Sequence, residues 1–204
     1  MSEYIVQGGR KLYGKVLLQG AKNSALPILA ASLIVRGNSI IHNCPDLSDV
    51  RAALKILESL GCSCFFKDNT VTIDSSCVTS SFVSESLMRE MRSSVVFLGA
   101  MLARNSFATI TAPGGCELGP RPIDLHLKAI AELGYSITEE DGYITCKRDR
   151  NIDFAEITLN FPSVGATENV ILASCVSKGR VLLHNAAKEP EISDLAEYIN
   201  GAGG

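Results

Sequence analysis

A chain of 204 residues, 46% hydrophobic and 20% charged, can bury one large core or two modest ones and is too apolar to remain a disordered polyelectrolyte. A net charge of -3, no tryptophan and only 6% aromatic residues argue against nucleic acid as a partner, since neither a basic field nor a stacking platform is present. The apolar runs Ala25 to Val35 and Val95 to Ala103 are too short to span a bilayer, and no leader-like segment opens the chain, so neither membrane insertion nor export is expected.

In chain order, residues 4–7 and 12–19 alternate apolar and polar positions around a Gly-Gly turn and predict two short strands. Ala25 to Ile34 predicts a nearly all-apolar helix with Pro27 in its first turn, and residues 39–43 a strand. Asp46 or Ser48 can cap a helix from Val50 to Leu60, which Gly61 stops. Strands 62–66 and 70–74 follow across Lys67-Asp68-Asn69. The same order then returns: a helix from Met88 to Ala103, a strand at 108–111, a helix from Asp124 to Leu133 stopped by Gly134, and strands 135–139 and 143–147 around Glu140-Asp141-Gly142. A third cycle gives a strand at 155–159, a helix from Ala166 to Ser177, a strand at 180–185 and a helix from Glu191 to Ile199.

The helix-stopping glycines Gly61, Gly134 and Gly203 recur about every 70 residues, which makes the fold class α/β, built from a repeated βαβαββ unit. Each unit has a helical and a sheet face, so the copies are expected to bury their helices together. The third cycle breaks off at Gly204 where its strand pair is due, which suggests a truncated piece of a longer protein.

Seven cysteines, at positions 44, 62, 64, 77, 116, 146 and 175, indicate a reducing cytoplasm rather than a disulfide framework. Cys62 and Cys64 could share a strand face, but no second pair or flanking histidine completes a zinc set. Cys116 is different. It lies in Ala112-Pro-Gly-Gly-Cys-Glu-Leu-Gly-Pro-Arg-Pro-Ile-Asp-Leu-His126, a loop whose glycines and prolines exclude an element interior. Arg121, framed by two prolines, would stand near the loop base as a fixed cation, and positive charge favours the reactive thiolate. A buried small hydrophobe is the competing role for this cysteine.

Six blocks resemble the bacterial UDP-N-acetylglucosamine 1-carboxyvinyltransferases, the enolpyruvyl transferases of peptidoglycan synthesis. They are Val6-Gln7-Gly8-Gly9, Gly20 to Leu29 (GAKNSALPIL), Leu87 to Arg92 (LMREMR), the Cys116 loop, Pro162 to Thr167 (PSVGAT) and Asn185 to Glu191 (NAAKEPE). The resemblance implies an inside-out α/β barrel of EPSP synthase type, with helices innermost, forming one domain of a two-domain enzyme. Residues 21–204 would form that domain with an incomplete third unit, and residues 1–20 a strand pair belonging to the other, which lies outside the chain. The fragment alone would be inactive.

The implied reaction joins phosphoenolpyruvate to the 3-hydroxyl of UDP-N-acetylglucosamine and releases phosphate, in the cytoplasm and without cofactor or metal. It needs cations for the anionic groups and an acid for the enol carbon. By resemblance Lys22, Arg92 and Arg121 are the cations, and Asn23 spans both substrates. Cys116 is the lid thiol that protonates the methylene and is alkylated by fosfomycin. The uridine diphosphate falls to Arg121, Pro122, Ile123, Asp124, Leu125, Ser163, Val164 and Gly165, and Glu189 lies at the cleft. Phe161 stands where Gram-negative relatives carry a diphosphate-binding lysine, and Lys188 replaces an arginine. On pattern alone Lys22 is equally an exposed lysine beside a capping asparagine, Arg92 a solvated helix charge and His126 a surface histidine. A shikimate-type enolpyruvyl transferase and a noncatalytic homologue are the alternatives; the former lacks the Pro-Gly-Gly-Cys lid.

Overall fold

The computed structural model describes residues 3–111 and 123–204. The first cycle comprises α1 (Lys22–Ser32), β1 (Asn38–Ile41), α2 (Ser48–Ser59), β2 (Ser63–Lys67) and β3 (Thr70–Asp74). The second comprises α3 (Glu85–Glu90), a 3-10 turn Arg92–Val95, α4 (Val96–Asn105), β4 (Phe107–Thr111), α5 (Asp124–Glu132), β5 (Tyr135–Glu140) and β6 (Tyr143–Arg148). The third comprises β7 (Phe154–Thr158), α6 (Val164–Ser174), β8 (Arg180–His184) and α7 (Pro190–Gly201).

The repeat predicted from the glycines is present in the topology. Two antiparallel sheets have the same order, β1-β3-β2 and β4-β6-β5. Their hairpins close on Asp68-Asn69 and Asp141-Gly142, all four with positive φ, which is the two-residue turn whose twist matches the flanking strands. A parallel bridge from Phe82 to Thr109 edges β4 in the second unit, and β7 extends the same parallel pairing along β8 in the third. Gly61, Gly134 and Gly203 follow α2, α5 and α7 at φ +105, +87 and +90, the left-handed conformation in which a glycine ends a helix at least cost.

Helices lie inward. Val96 to Leu102 of α4 and Ala166 to Val170 of α6 are buried without interruption, as in a helix covered on every side. α4 packs on α6, and α1 packs on α2, α4 and α7. By contrast α2 buries one stripe, Val50, Ala53, Leu54 and Leu57 with their neighbours, and turns Arg51, Lys55 and Glu58 outward. The sheets are three separate ones, so the architecture is mixed α/β with inner helices and no closed barrel among the described residues.

Four local expectations are corrected. Residues 4–7 and 12–19 form no strand: Tyr4, Ile5, Val6, Leu12, Tyr13, Val16, Leu17 and Leu18 are at least 82% exposed, and alternation makes a strand only where an edge or core face receives it. The helix expected over 88–103 is broken at Met91 (φ -141, ψ 147), although Met88, Met91 and Val95 are all buried at helical spacing. Pro27 lies in the second turn of α1, since the helix starts at Lys22, and therefore cannot donate to the carbonyl of Asn23. Neither Asp46 nor Ser48 caps α2. Its N-cap is Leu47, and Asp46 instead receives two hydrogen bonds from the Arg51 guanidinium, 2.7 and 2.8 Å.

Candidate active site

The N-terminal turns of five helices are linked in a chain of pairwise contacts. Lys22, first in α1, pairs with Asp49 of the first turn of α2 at 2.8 Å. The next residue, Asn23, donates to Glu191 Oε1 in the first turn of α7 at 3.3 Å, and Ser24 bonds Asp194 on the same helix. Thr167 Oγ1 donates to the Ser163 carbonyl and accepts from Ala187 N–H, tying the start of α6 to the segment entering α7. His126 of α5 abuts Gly165 of α6, where a Cβ would stand 2.8 Å from the ring's Cε1. Helix N-termini present unpaired N–H groups and positive dipole ends, which favours anions.

The α6 start is capped by its own sequence. Ser163 is its N-cap, with its hydroxyl accepting from Ala166 N–H at 3.3 Å, and Val164 and Gly165 open the helix half-exposed. Behind this turn lies a polar cluster inside the apolar core. Asn169 donates to the Val95 carbonyl at 3.1 Å, accepts from Gly99 N–H at 2.6 Å and contacts His126 Nδ1 at 2.8 Å. Burial lowers the His126 pKa to about 4, against a weaker opposing pull from Asp124, so the ring is neutral. Burial, and secondarily the carboxylate of Glu191, raises Glu168 to about 8, so this acid keeps its proton at neutral pH.

Lys22, Asn23, Ser163, Val164 and Gly165 thus belong to connected helix starts. Ile123 and Leu125 are partly buried around the start of α5, and Asp124 is exposed as its first residue. Glu189 is the exposed N-cap of α7, its Oε2 accepting from Lys188 N–H at 2.9 Å. Arg92 begins the 3-10 turn and is exposed; its pairing on a helix face with Arg89 is lost to the break at Met91, and Arg89 pairs with Glu85 instead. Cys116, Arg121 and Pro122 lie outside the described residues.

Other residues were not singled out from the sequence. Asp49, Glu191 and Asp194 look like ordinary helix-start acids, and only the fold aims them at Lys22, Asn23 and Ser24. Thr167, Glu168 and Asn169 gave a usable signal: three consecutive polar residues, all buried, inside an otherwise apolar helix. His126, taken as a possible surface residue, is 8% exposed. No group of three or more His, Cys, Asp or Glu side chains among the described residues could hold a metal, and burial pushes Cys62 to about 11 and Cys64 to about 12.

A family model described as EPSP synthase (3-phosphoshikimate 1-carboxyvinyltransferase) matches residues 6–204. The chain belongs to the EPSP synthase family. Within it, the chain is 49% identical over 203 residues to UDP-N-acetylglucosamine 1-carboxyvinyltransferase 2 of Caldanaerobacter subterraneus subsp. tengcongensis, covering 100% of this chain and 48% of that protein. The Acinetobacter baylyi UDP-N-acetylglucosamine 1-carboxyvinyltransferase is 40% identical over 199 residues, 98% of this chain and 48% of its own length. The chain therefore spans about half the length of the curated relatives it matches. Among solved structures of this family's fold, the enolpyruvyl transferase NikO from Streptomyces tendae superposes with a TM-score of 0.80 at 21% identity, over 95% of this chain and 45% of that one. EPSP synthase from Acinetobacter baumannii gives 0.67 at 19% identity, over 88% and 42%. No helix among the described residues is long and apolar enough to cross a membrane.

Proposed function

We propose that this chain is part of a cytoplasmic enolpyruvyl transferase that joins phosphoenolpyruvate to the 3-hydroxyl of UDP-N-acetylglucosamine, the committed step toward peptidoglycan. The observation that carries the reading is the set of joined helix starts bearing Lys22, Asn23 and Ser163 to Gly165, in a chain similar along its whole length to proteins of that name. Residues 21–204 are assigned to one domain, and residues 1–20 to a strand pair completing the other. Exposed apolar side chains from Tyr4 to Leu18 support that division, since they bury nothing here.

In this reading Lys22, Arg92 and Arg121 hold the phosphate and carboxylate of phosphoenolpyruvate, and Asn23 bridges it to the sugar. The α6 start, with Arg121 to Leu125, receives the diphosphate, and Glu189 stands at the cleft. The sugar 3-hydroxyl gives its proton to a carboxylate base that the resemblance places outside this chain, its oxygen bonds C2 of phosphoenolpyruvate, and C3 takes a proton from Cys116. The C2–O bond to phosphate then breaks with its electron pair leaving on phosphate, and C3 gives a proton back to the Cys116 thiolate, leaving the enol ether. Cys116 is also where fosfomycin adds. The test is phosphate release by the gene product carrying this chain when phosphoenolpyruvate and UDP-N-acetylglucosamine are supplied together. Release with 3-phosphoshikimate alone as acceptor would replace this reading with the shikimate-type one, and release with neither acceptor would leave a noncatalytic homologue.

A further inference from the structure

The side-chain amide of Asn169 brackets the first turn of α4. It donates to the Val95 carbonyl at 3.1 Å and accepts from Gly99 N–H at 2.6 Å, the two backbone groups four residues apart that close that turn. A carbonyl can only accept and an N–H can only donate, so the amide has one possible orientation. Its second Nδ2 hydrogen then faces His126 Nδ1 at 2.8 Å. A proton on Nδ1 would set two N–H groups head to head, so Nδ1 is the acceptor and the ring proton sits on Nε2.

That ring edge borders the start of α6. A methyl group at Gly165 would stand 2.8 Å from Cε1 and 3.3 Å from Nε2, and the histidine is 8% exposed, with Nε2 bonded to none of the described residues. Among the described residues, Nε2 is not one of the fully buried polar atoms left without a partner, so its N–H keeps access to solvent or to a ligand at the α6 start. Asp124, on α5 itself, is the one charged group among the described residues that bears on the ring; no charge from α4, α6, β5 or β7 does.

We propose that Asn169 is a positioning residue for the anion-binding turn of α6: it fixes His126 as the neutral Nε2–H tautomer, whose N–H joins the backbone donors of Val164 and Gly165 toward the diphosphate of a nucleotide sugar. The proposal rests on the enolpyruvyl-transfer reading and adds to it a pH-independent donor and the residue that sets its sense.

The test follows His126 in the gene product by side-chain 1H–15N correlation from pH 4 to 8, with UDP-N-acetylglucosamine affinity measured calorimetrically across the same range. The expected result is a neutral ring protonated on Nε2 from pH 8 down to 5, and affinity without a histidine step. In Asn169→Asp the carboxylate accepts from the ring, moves the neutral tautomer's proton to Nδ1 and turns Nε2 toward the ligand as an acceptor. Affinity at pH 8 then falls about tenfold or more and recovers as acid restores the Nε2 proton. A purely structural role would give loss without that recovery. A wild-type ring protonated on Nδ1, or titrating near 6.5, overturns the proposal even if the variant does not fold; so does a folded variant with unchanged affinity. Failure of the enolpyruvyl reading is distinguishable, because phosphate release is then absent while inorganic pyrophosphate still shifts the His126 Nε2–H resonance in wild type. Absence of that shift overturns the proposal as well.

Discussion

Lys22 Nζ stands 2.8 Å from Asp49 Oδ2, so the ammonium that opens α1 is held across the first turn of α2. The lysine is 45% exposed and the aspartate 27%, and an ion pair that open to water contributes little to stability, under about 1 kcal/mol. On the proposed reading, its value lies in aim. Asp49→Asn is expected to leave thermal unfolding nearly unchanged while kcat/KM for phosphoenolpyruvate falls on the order of tenfold, as for a misplaced binding group. Unchanged kcat/KM would reduce the pair to a surface ion pair.

Glu168 gives stability an alkaline limb. Its folded pKa of about 8 lies above the ordinary value of 4.5, so between those limits the folded protein holds a proton that the unfolded chain has released. Stability therefore falls as pH rises through this window, by up to a few kcal/mol. Glu168→Gln keeps the shape and removes the charge. Its urea midpoint should exceed wild type at pH 8 and match it near pH 4.5; equal midpoints at pH 8 would show that the carboxyl finds a partner when ionised.

His126 acts in the opposite direction. Its folded pKa is lowered from 6.5 to about 4, so the unfolded chain binds the proton first and stability is lost as pH falls from 6.5 to 4. The loss is about 3 kcal/mol over that interval. Replacing the ring in His126→Asn should flatten the acid limb of the urea midpoint against pH without altering the alkaline one. An acid limb of undiminished depth would assign it to carboxylates elsewhere.

Elements closed by local chemistry were readable in the sequence. Asp68-Asn69 and Asp141-Gly142 demand tight turns, and Gly61 and Gly134 end helices whose apolar stripes are plain. The break at Met91 was not readable, because Met88, Met91 and Val95 keep a helix-like spacing through it; the nearby Asn169 amide is supplied from 74 residues away in sequence. The alternation of residues 4–19 was real as a pattern, but a strand also needs a partner edge. The candidate site residues named by resemblance sit in glycine- or proline-marked motifs. Asp49, Glu191 and Asp194 carry no such marks, and their contacts with Lys22, Asn23 and Ser24 form only in the folded chain.

The cysteines separate by burial. Burial raises the thiol pKa of Cys44, Cys62, Cys64, Cys146 and Cys175, whereas Cys77 is exposed. Fewer thiolates and poorer access both slow alkylation. Iodoacetamide on the native protein at neutral pH should reach Cys77 before any of those five. Fosfomycin, which needs the active-site setting proposed for Cys116, should give a single adduct there, abolished in Cys116→Ala. A mass spectrum with the adduct on Cys77 instead would remove the thiol from the proposed chemistry.

Gly99 and Gly165 flank the Asn169–His126 cluster, and alanine at the two positions should fail differently. At Gly99 a Cβ would lie 2.7 Å from both the backbone carbonyl oxygen and the side-chain Oδ1 of Asn169, so α4 and α6 must separate and the amide must leave its place. Backbone cannot rotate aside, and overpacking of this kind costs about 1–3 kcal/mol before the lost hydrogen bonds are added. At Gly165 the obstacle is the edge of the His126 ring, 2.8 Å away, which can turn about its side-chain torsions. Gly99→Ala is therefore expected to lower the melting temperature more, whereas Gly165→Ala should keep most of the stability and weaken UDP-N-acetylglucosamine by displacing Nε2–H. Paired melting and calorimetry on the two variants decide it: a Gly165→Ala protein that melts lower than Gly99→Ala, or binds the nucleotide sugar as wild type does, would show that the ring is not held by the geometry described.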